Sequence, residues 1–288
     1  MLNIIDSHLH VWMLERGDYA WLTPDTGVLY RNFSIDQARK VMAEHLVSRC
    51  ILVQATNTVA ETEYLLDIAD SHSQFVAGVV GWVDFESADV VDDIKRLSKH
   101  AALVGLRPML QDIDATDWIL NPDFHRVFAC MQQQELVFDA LIYPRHLEVI
   151  DELASCYPGL SIVVDHCGKP DLDAETLTCW QQGLARLARH PEVTVKLSGL
   201  ASQSQYAFEL DKITPIVEFV CRHFGPKRIL WGSDWPVVNQ RCDYRQWLDA
   251  SLNIISQLGF SSEQAEQIFV HNAERIYLSR SVPGGQID

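Results

Sequence analysis

The chain has 288 residues, 48% of them hydrophobic and 22% charged, which excludes a disordered, collagenous or coiled-coil protein. A formal net charge of −16 repels nucleic acid and anionic membranes, so neither is expected as a partner, and any anionic ligand needs a local Arg or Lys. Seven cysteines without a CxxC pair point to reduced thiols in a cytoplasmic protein.

In chain order, short apolar, β-branched runs alternate with longer helical patterns. The start, Met1 to His10, has neither a basic lead nor a long apolar core, so it reads as a strand over Asn3–Leu9 rather than a signal peptide. Residues Val11 to Phe33 are too many for an ordinary connection and carry Trp12, Tyr19, Trp21 and Tyr30. They predict either a lid over a substrate or an aromatic plug. A helix over Ser34–Leu46 opens on a Ser N-cap. There follow a strand over Cys50–Gln54, a helix over Thr58–Ser71, a strand over Phe75–Val83 and a helix over Ala88–Leu97. Next come Leu103–Arg107 (strand), Asn121–Gln134 (helix), Leu136–Leu141 (strand), Arg145–Ser155 (helix), Ser161–Val164 (strand), Ala174–Ala188 (helix) and Val193–Leu197 (strand). The chain closes with a helix over Thr214–His223, a strand from Ile229–Leu230 onward, and helices over Tyr244–Gln257 and Ser262–Phe269. The strands are apolar on both faces, as buried parallel strands are. Eight strands alternating with helices predict one α/β domain over 1–288, a (β/α)8 TIM barrel with the long first connection over its C-terminal mouth. An open doubly wound sheet is the alternative, weakened because no GxGxxG follows the first strand.

The chemistry-bearing residues fall at strand ends. In a strand, i and i+2 share a side, so His8 and His10 can reach one ion or one substrate, and Asp6 extends the pattern to DxHxH. Chance produces an HxH pair often enough that the pair alone decides nothing. His166 ends the sixth strand in VDHCGKP, and Asp234 follows the eighth in WGSDWP. A barrel sets strands 1 and 8 side by side, so His8, His10, His166 and Asp234 converge with donors suited to zinc or another divalent cation. The plainer alternatives are a hydrogen-bonded core histidine for His166 and a turn or N-cap residue for Asp234. Arg107 and Lys196 end strands 4 and 7 and are expected to face the mouth. Gln54, Trp82, Trp235 and Trp12 are expected to line the ligand site. His125 and His146 lie in helical patterns and are read as packing or surface residues.

The DxHxH, VDHCGKP and GSDWP segments resemble the amidohydrolase superfamily, in its amidohydrolase-related branch. VQA at Val53, GVVGWVD at Gly78, VGLRP at Val104, KLSGL at Lys196 and NAERIY at Asn272 resemble the sugar-lactonase-like group of that branch. The resemblance runs in order from Ile4 to Tyr277. It implies a (β/α)8 barrel that hydrolyses an aldonolactone such as L-fucono-, L-rhamnono- or L-galactonolactone, with Asp234 as general base and then acid and His166 assisting. Many superfamily members bridge two metals with a carboxylated Lys on strand 4 or add a His from strand 5. Here those strands end in Arg107-Pro108 and in Asp139 to Tyr143, so at most one divalent ion, zinc foremost, is expected. Some lactonases of this kind work without one. The same branch contains nonoxidative decarboxylases, the first alternative; a non-catalytic ligand-binding barrel is the second. A homodimer is compatible with the sequence.

Overall fold

The computed structural model describes residues 3–280 apart from 46, 176 and 204–207. Eight strands form it: β1 (Ile4–Leu9), β2 (Val47–Val53), β3 (Val76–Gly81), β4 (Leu103–Leu106), β5 (Val137–Ala140), β6 (Ile162–Val164), β7 (Val193–Leu197) and β8 (Ile229–Trp231). All pair in parallel with their sequence neighbours, in the order β1 to β8. The sheet curls round until β1 meets the residues after β8. There His10 N donates to Trp235 O (2.8 Å) and Asp234 N donates to His8 O (2.8 Å). Closure at this point places the DxHxH and GSDWP segments against each other. The result is the expected (β/α)8 barrel.

Outside the strands pack α1 (Ile35–Ala43), α2 (Val59–Ser71), α3 (Val90–Leu97), α4 (His125–Gln133), α5 (Leu147–Cys156), α6 (Thr178–Leu187), α7 (Leu200–Gln203), α8 (Leu210–Phe224), α9 (Tyr244–Gln257), α10 (Ser262–Glu266) and α11 (Asn272–Tyr277). Capping boxes start α1 (Ser34 with Gln37), α9 (Asp243 with Gln246) and α10 (Ser261 with Gln264), each satisfying otherwise orphaned N–H groups. Several helix bounds differ from expectation. The expected starts at Asn121 and Arg145 become 3-10 turns led by Pro122 and Pro144, which fix φ but donate no N–H. The helix expected from Thr214 starts at Leu210 instead, with Pro215 inside it; Pro215 and Asp211, four residues before it, are both exposed. The last predicted helix breaks at a π turn, Gln267–His271, before α11. Leu46 and Thr176, in two of the predicted helices, lie outside the described residues.

The C-terminal segment closes the N-terminal end of the barrel. Asn272 Nδ2 donates to Pro226 O and Ile229 O, both at 2.7 Å. Arg280 donates to Ser98 O, Leu103 O and Gln134 O. From this end the Tyr277 hydroxyl reaches Asp139 inside the barrel (2.8 and 2.9 Å). Among the described residues no helix is long and apolar enough to cross a membrane.

Candidate active site at the C-terminal mouth

β1 delivers His8 and His10 to one point, with their Nε2 atoms 3.2 Å apart. His10 Nδ1 lies 2.8 Å from Val53 O. A carbonyl only accepts, so Nδ1 carries the proton and Nε2 presents its lone pair. Asp234 Oδ1 completes a triangle, 3.4 Å from His10 Nε2 and 3.7 Å from His8 Nε2. His166 comes from the end of β6, its ring centroid 4.5 Å from that of His8, with Nδ1 2.9 Å from Ser198 Oγ.

Two of these residues sit in backbone conformations that L-residues rarely adopt. Asp234 has φ 59° and His166 φ 54°, and Cys167 and Lys169 are left-handed too. Such strain persists only where the surroundings impose it, and it clusters at functional sites. Two glycines permit the arrangement. A Cβ on Gly199, itself at φ +65°, would lie 2.3 Å from His166 Nδ1, and one on Gly232 would lie 2.6 Å from His8 Cβ. The glycines of KLSGL and WGSDWP therefore make room for the two histidines.

The donors fit one divalent ion. Zinc binds imidazole nitrogen at about 2.0–2.1 Å, which holds two ligands of a tetrahedral ion about 3.3 Å apart. The triangle of His8, His10 and Asp234 has edges of that size. His166, His8 and Asp234 each offer a ligand atom within 4.8 Å of the others. Burial pushes the His166 imidazole down to about 4 and that of His8 well below its ordinary value, so both are neutral and able to ligate. Burial would raise the Asp234 carboxyl, but His166, His10 and His8 outweigh it, and the group lies below the ordinary carboxylate range.

Beneath the triangle runs a sealed layer of charge. Lys196, expected to face the mouth, is instead fully buried, 2.5 Å from Asp139 Oδ2, 3.1 Å from Asp165 Oδ1 and 3.3 Å from His8 Nδ1. The inward pleat of β7 points it into the barrel, where two carboxylates compensate its charge. Gln54, expected at the ligand site, lies in this layer as well. Its Nε2 donates to Arg107 O (2.8 Å), and the Arg107 guanidinium donates to Gln54 O. Arg107 reaches the cavity wall, but Nη1 is held on Asp165 Oδ2 (3.2 Å). Burial would raise the Asp165 carboxyl; Lys196, His8 and Arg107 reverse that and hold it well below its usual range.

Above the triangle opens a cavity of about 320 Å³, lined by His10, Arg107, His166, Asp234, Trp21, Met109, Gln111 and Lys169 among others. Such a volume is at the small end of ligand pockets. Sequence reasoning missed Lys169, although it stands in the quoted VDHCGKP. Its ammonium reaches Gln111 Oε1 and lies 5.2 Å from the Tyr143 ring centroid. Three of the expected aromatic residues lie elsewhere. Trp12 is fully buried, edge-on to Trp21 and Phe33; Trp235 packs behind Asp234 against Phe33; Trp82 lines an adjoining cavity. Trp21, 38% exposed, is the aromatic of the long first connection that meets the pocket. Its Nε1 donates to Ala55 O (2.7 Å), and Thr56 Oγ1 donates to Asp18 O (2.7 Å). The connection is thus tied to the end of β2 and built on a plug of Trp12, Tyr19, Leu22 and Leu29, all buried. His125 bonds Tyr157 on the surface, and His146 is buried at the start of α5, both away from the cavity.

A family model described as amidohydrolase matches residues 5–278. An L-fucono-1,5-lactonase of Burkholderia ambifaria is 40% identical over 247 residues, covering 85% of each chain. A second L-fucono-1,5-lactonase, from Burkholderia multivorans, is 33% identical and covers 81% of this chain and 82% of its own. Among solved structures, an amidohydrolase from Burkholderia multivorans with bound zinc superposes with a TM-score of 0.89 at 29% identity, over 96% of this chain and 99% of that one.

Proposed function

The chain belongs to the amidohydrolase family, and on that premise we propose that it hydrolyses a sugar lactone to its aldonic acid, with L-fucono-1,5-lactone the first substrate to try. The observation that carries the reading is Asp234, a carboxylate at the floor of a small cavity that also presents Lys169. Lactone opening needs a group that takes a proton from water as it attacks the acyl carbon, then returns one to the ring oxygen as the C–O bond breaks. Asp234 serves both steps. The tetrahedral oxyanion and the carboxylate product need a cation. Lys169 supplies it, because Lys196 is sealed below and Arg107 is held by Asp165 and Gln54. Trp21 and Met109 give the ring an apolar wall.

His8, His10, His166 and Asp234 are the residues that would hold a divalent ion. Zinc is proposed after the structural neighbour that carries it. Bound there, it would polarise the lactone carbonyl and acidify water. We place the reaction in carbohydrate metabolism in the cytoplasm, a reading supported by seven free thiols.

The test is acid release from a panel of aldono-1,4- and 1,5-lactones, followed with a pH dye. Acid appearing without CO2 supports the proposal. Release of CO2 from an aromatic acid, with every lactone inert, would replace it with decarboxylation.

A further inference from the structure

A second cavity, of about 610 Å³, adjoins the first and shares Trp21, Met109 and Asp112 with it. Its walls are aromatic: Trp21, Trp82 and Trp118. Three carboxylates, Asp84, Glu86 and Asp112, stand at its rim. We propose that this cavity is a subsite for an uncharged glycosyl substituent on the lactone, so that the enzyme accepts lactones of glycosylated sugars as well as bare ones. The inference rests on the lactonase reading and extends its substrate class.

Three features carry it. The cavity shares Trp21, Met109 and Asp112 with the one above Asp234, so a group attached to a reacting ring there lies beside it. Indole faces are broad and apolar, with a polar N–H at one edge, and suit a ring that is apolar on its face and hydroxylated at its rim. Trp21 and Trp118 have committed their N–H groups to Ala55 O (2.7 Å) and Glu86 Oε1 (2.9 Å). Trp82, partly exposed, has no acceptor for its indole N–H among the described residues and can donate to a hydroxyl. The charge pattern supplies the third. Carboxylates accept from sugar hydroxyls but repel anions. They therefore favour a neutral substituent here and turn the product carboxylate toward Lys169. Hydrolysis itself is unchanged: water adds at the acyl carbon, the ring C–O bond breaks, and the glycosidic bond stays intact.

The test compares L-fucono-1,5-lactone with the same lactone galactosylated on each ring hydroxyl in turn, using the purified full chain with its metal. At least one galactosylated isomer should have kcat/KM within about tenfold of the bare lactone. Both Trp82→Ala, which removes the platform, and Asn57→Trp, which fills the cavity, should lower the ratio of galactosylated to bare kcat/KM by about tenfold or more. If every galactosylated isomer reacts at least about a thousandfold more slowly than the bare lactone, or if the ratio is unmoved in both variants, the subsite is refuted. If the bare lactone is inert, the lactonase reading has failed. Calorimetry with the open-chain galactosyl alditol then decides the subsite by itself: binding that Trp82→Ala abolishes supports it, and no binding overturns it.

Discussion

Lys169 holds its ammonium at the cavity wall from a left-handed residue, φ 50°, between Gln111 and the Tyr143 ring. If it receives the oxyanion, Lys169→Met should lower kcat/KM by about 10²–10³, the usual cost of losing one such donor, and Lys169→Arg should recover part of it. Lys196 should behave differently. Its removal leaves Asp139 and Asp165 buried without their cation, so Lys196→Met should cost about 3–5 kcal/mol in stability, read by denaturant unfolding. An unchanged midpoint would contradict the sealed ion layer. His166 gives a pH signature. Its folded value of about 4 lies below the unfolded value of about 6.5. Between those limits the unfolded chain binds a proton that the folded chain does not, so stability falls as pH falls, by about 1.4 kcal/mol per unit. In metal-free protein the stability advantage of wild type over His166→Gln should shrink on going from pH 6.5 to 4. Parallel curves would show His166 to be protonated in the fold. At this scale the sequence spoke unevenly. The HxH step and the strand-end positions of His166 and Asp234 led directly to the cluster. Lys196 and Gln54 misled, because a strand-end residue can point down into the barrel as readily as up to the mouth. Lys169 was passed over because its place depends on a left-handed turn that no periodicity records.

The strands were legible because each is a short apolar run buried on both faces, and all eight form within a few residues of expectation. Helix starts were less so where proline intervened, at Pro122, Pro144 and Pro215. The long first connection was recognised by its length and aromatic content. Its attachment to β2 depends on single hydrogen bonds from Trp21 and Thr56, which leave no pattern in sequence. The end of the chain offers the sharpest test of an element. Asn272 joins α11 to the start of β8 through two carbonyls. Asn272→Ala removes both hydrogen bonds, and the loss at the buried Ile229 carbonyl alone costs about 1–3 kcal/mol if water does not replace it. The unfolding midpoint should drop accordingly, while KM of the surviving enzyme stays near wild type because the substitution lies at the opposite end of the barrel from the cavity. A raised KM with normal stability would contradict this division of labour.

Over the whole molecule, closure of the barrel between β1 and the residues after β8 is what turns separate motifs into one centre. It sets Asp234 against His8 and His10, above a charge layer drawn from β4, β5, β6 and β7. The account's central claim is that Asp234 moves the proton in lactone hydrolysis. The direct measurement is the initial rate of acid release from L-fucono-1,5-lactone by wild type and Asp234→Asn, with the metal content of each sample determined alongside. The substitution keeps the side-chain shape and removes the proton acceptor, and general acid–base catalysis contributes about 10²–10⁴ in rate. The account predicts a kcat lower by at least that range with metal retained. Turnover near the wild-type rate would contradict it, and turnover lost together with the metal, then restored by adding metal, would show that Asp234 serves only to hold the ion and does not move the proton.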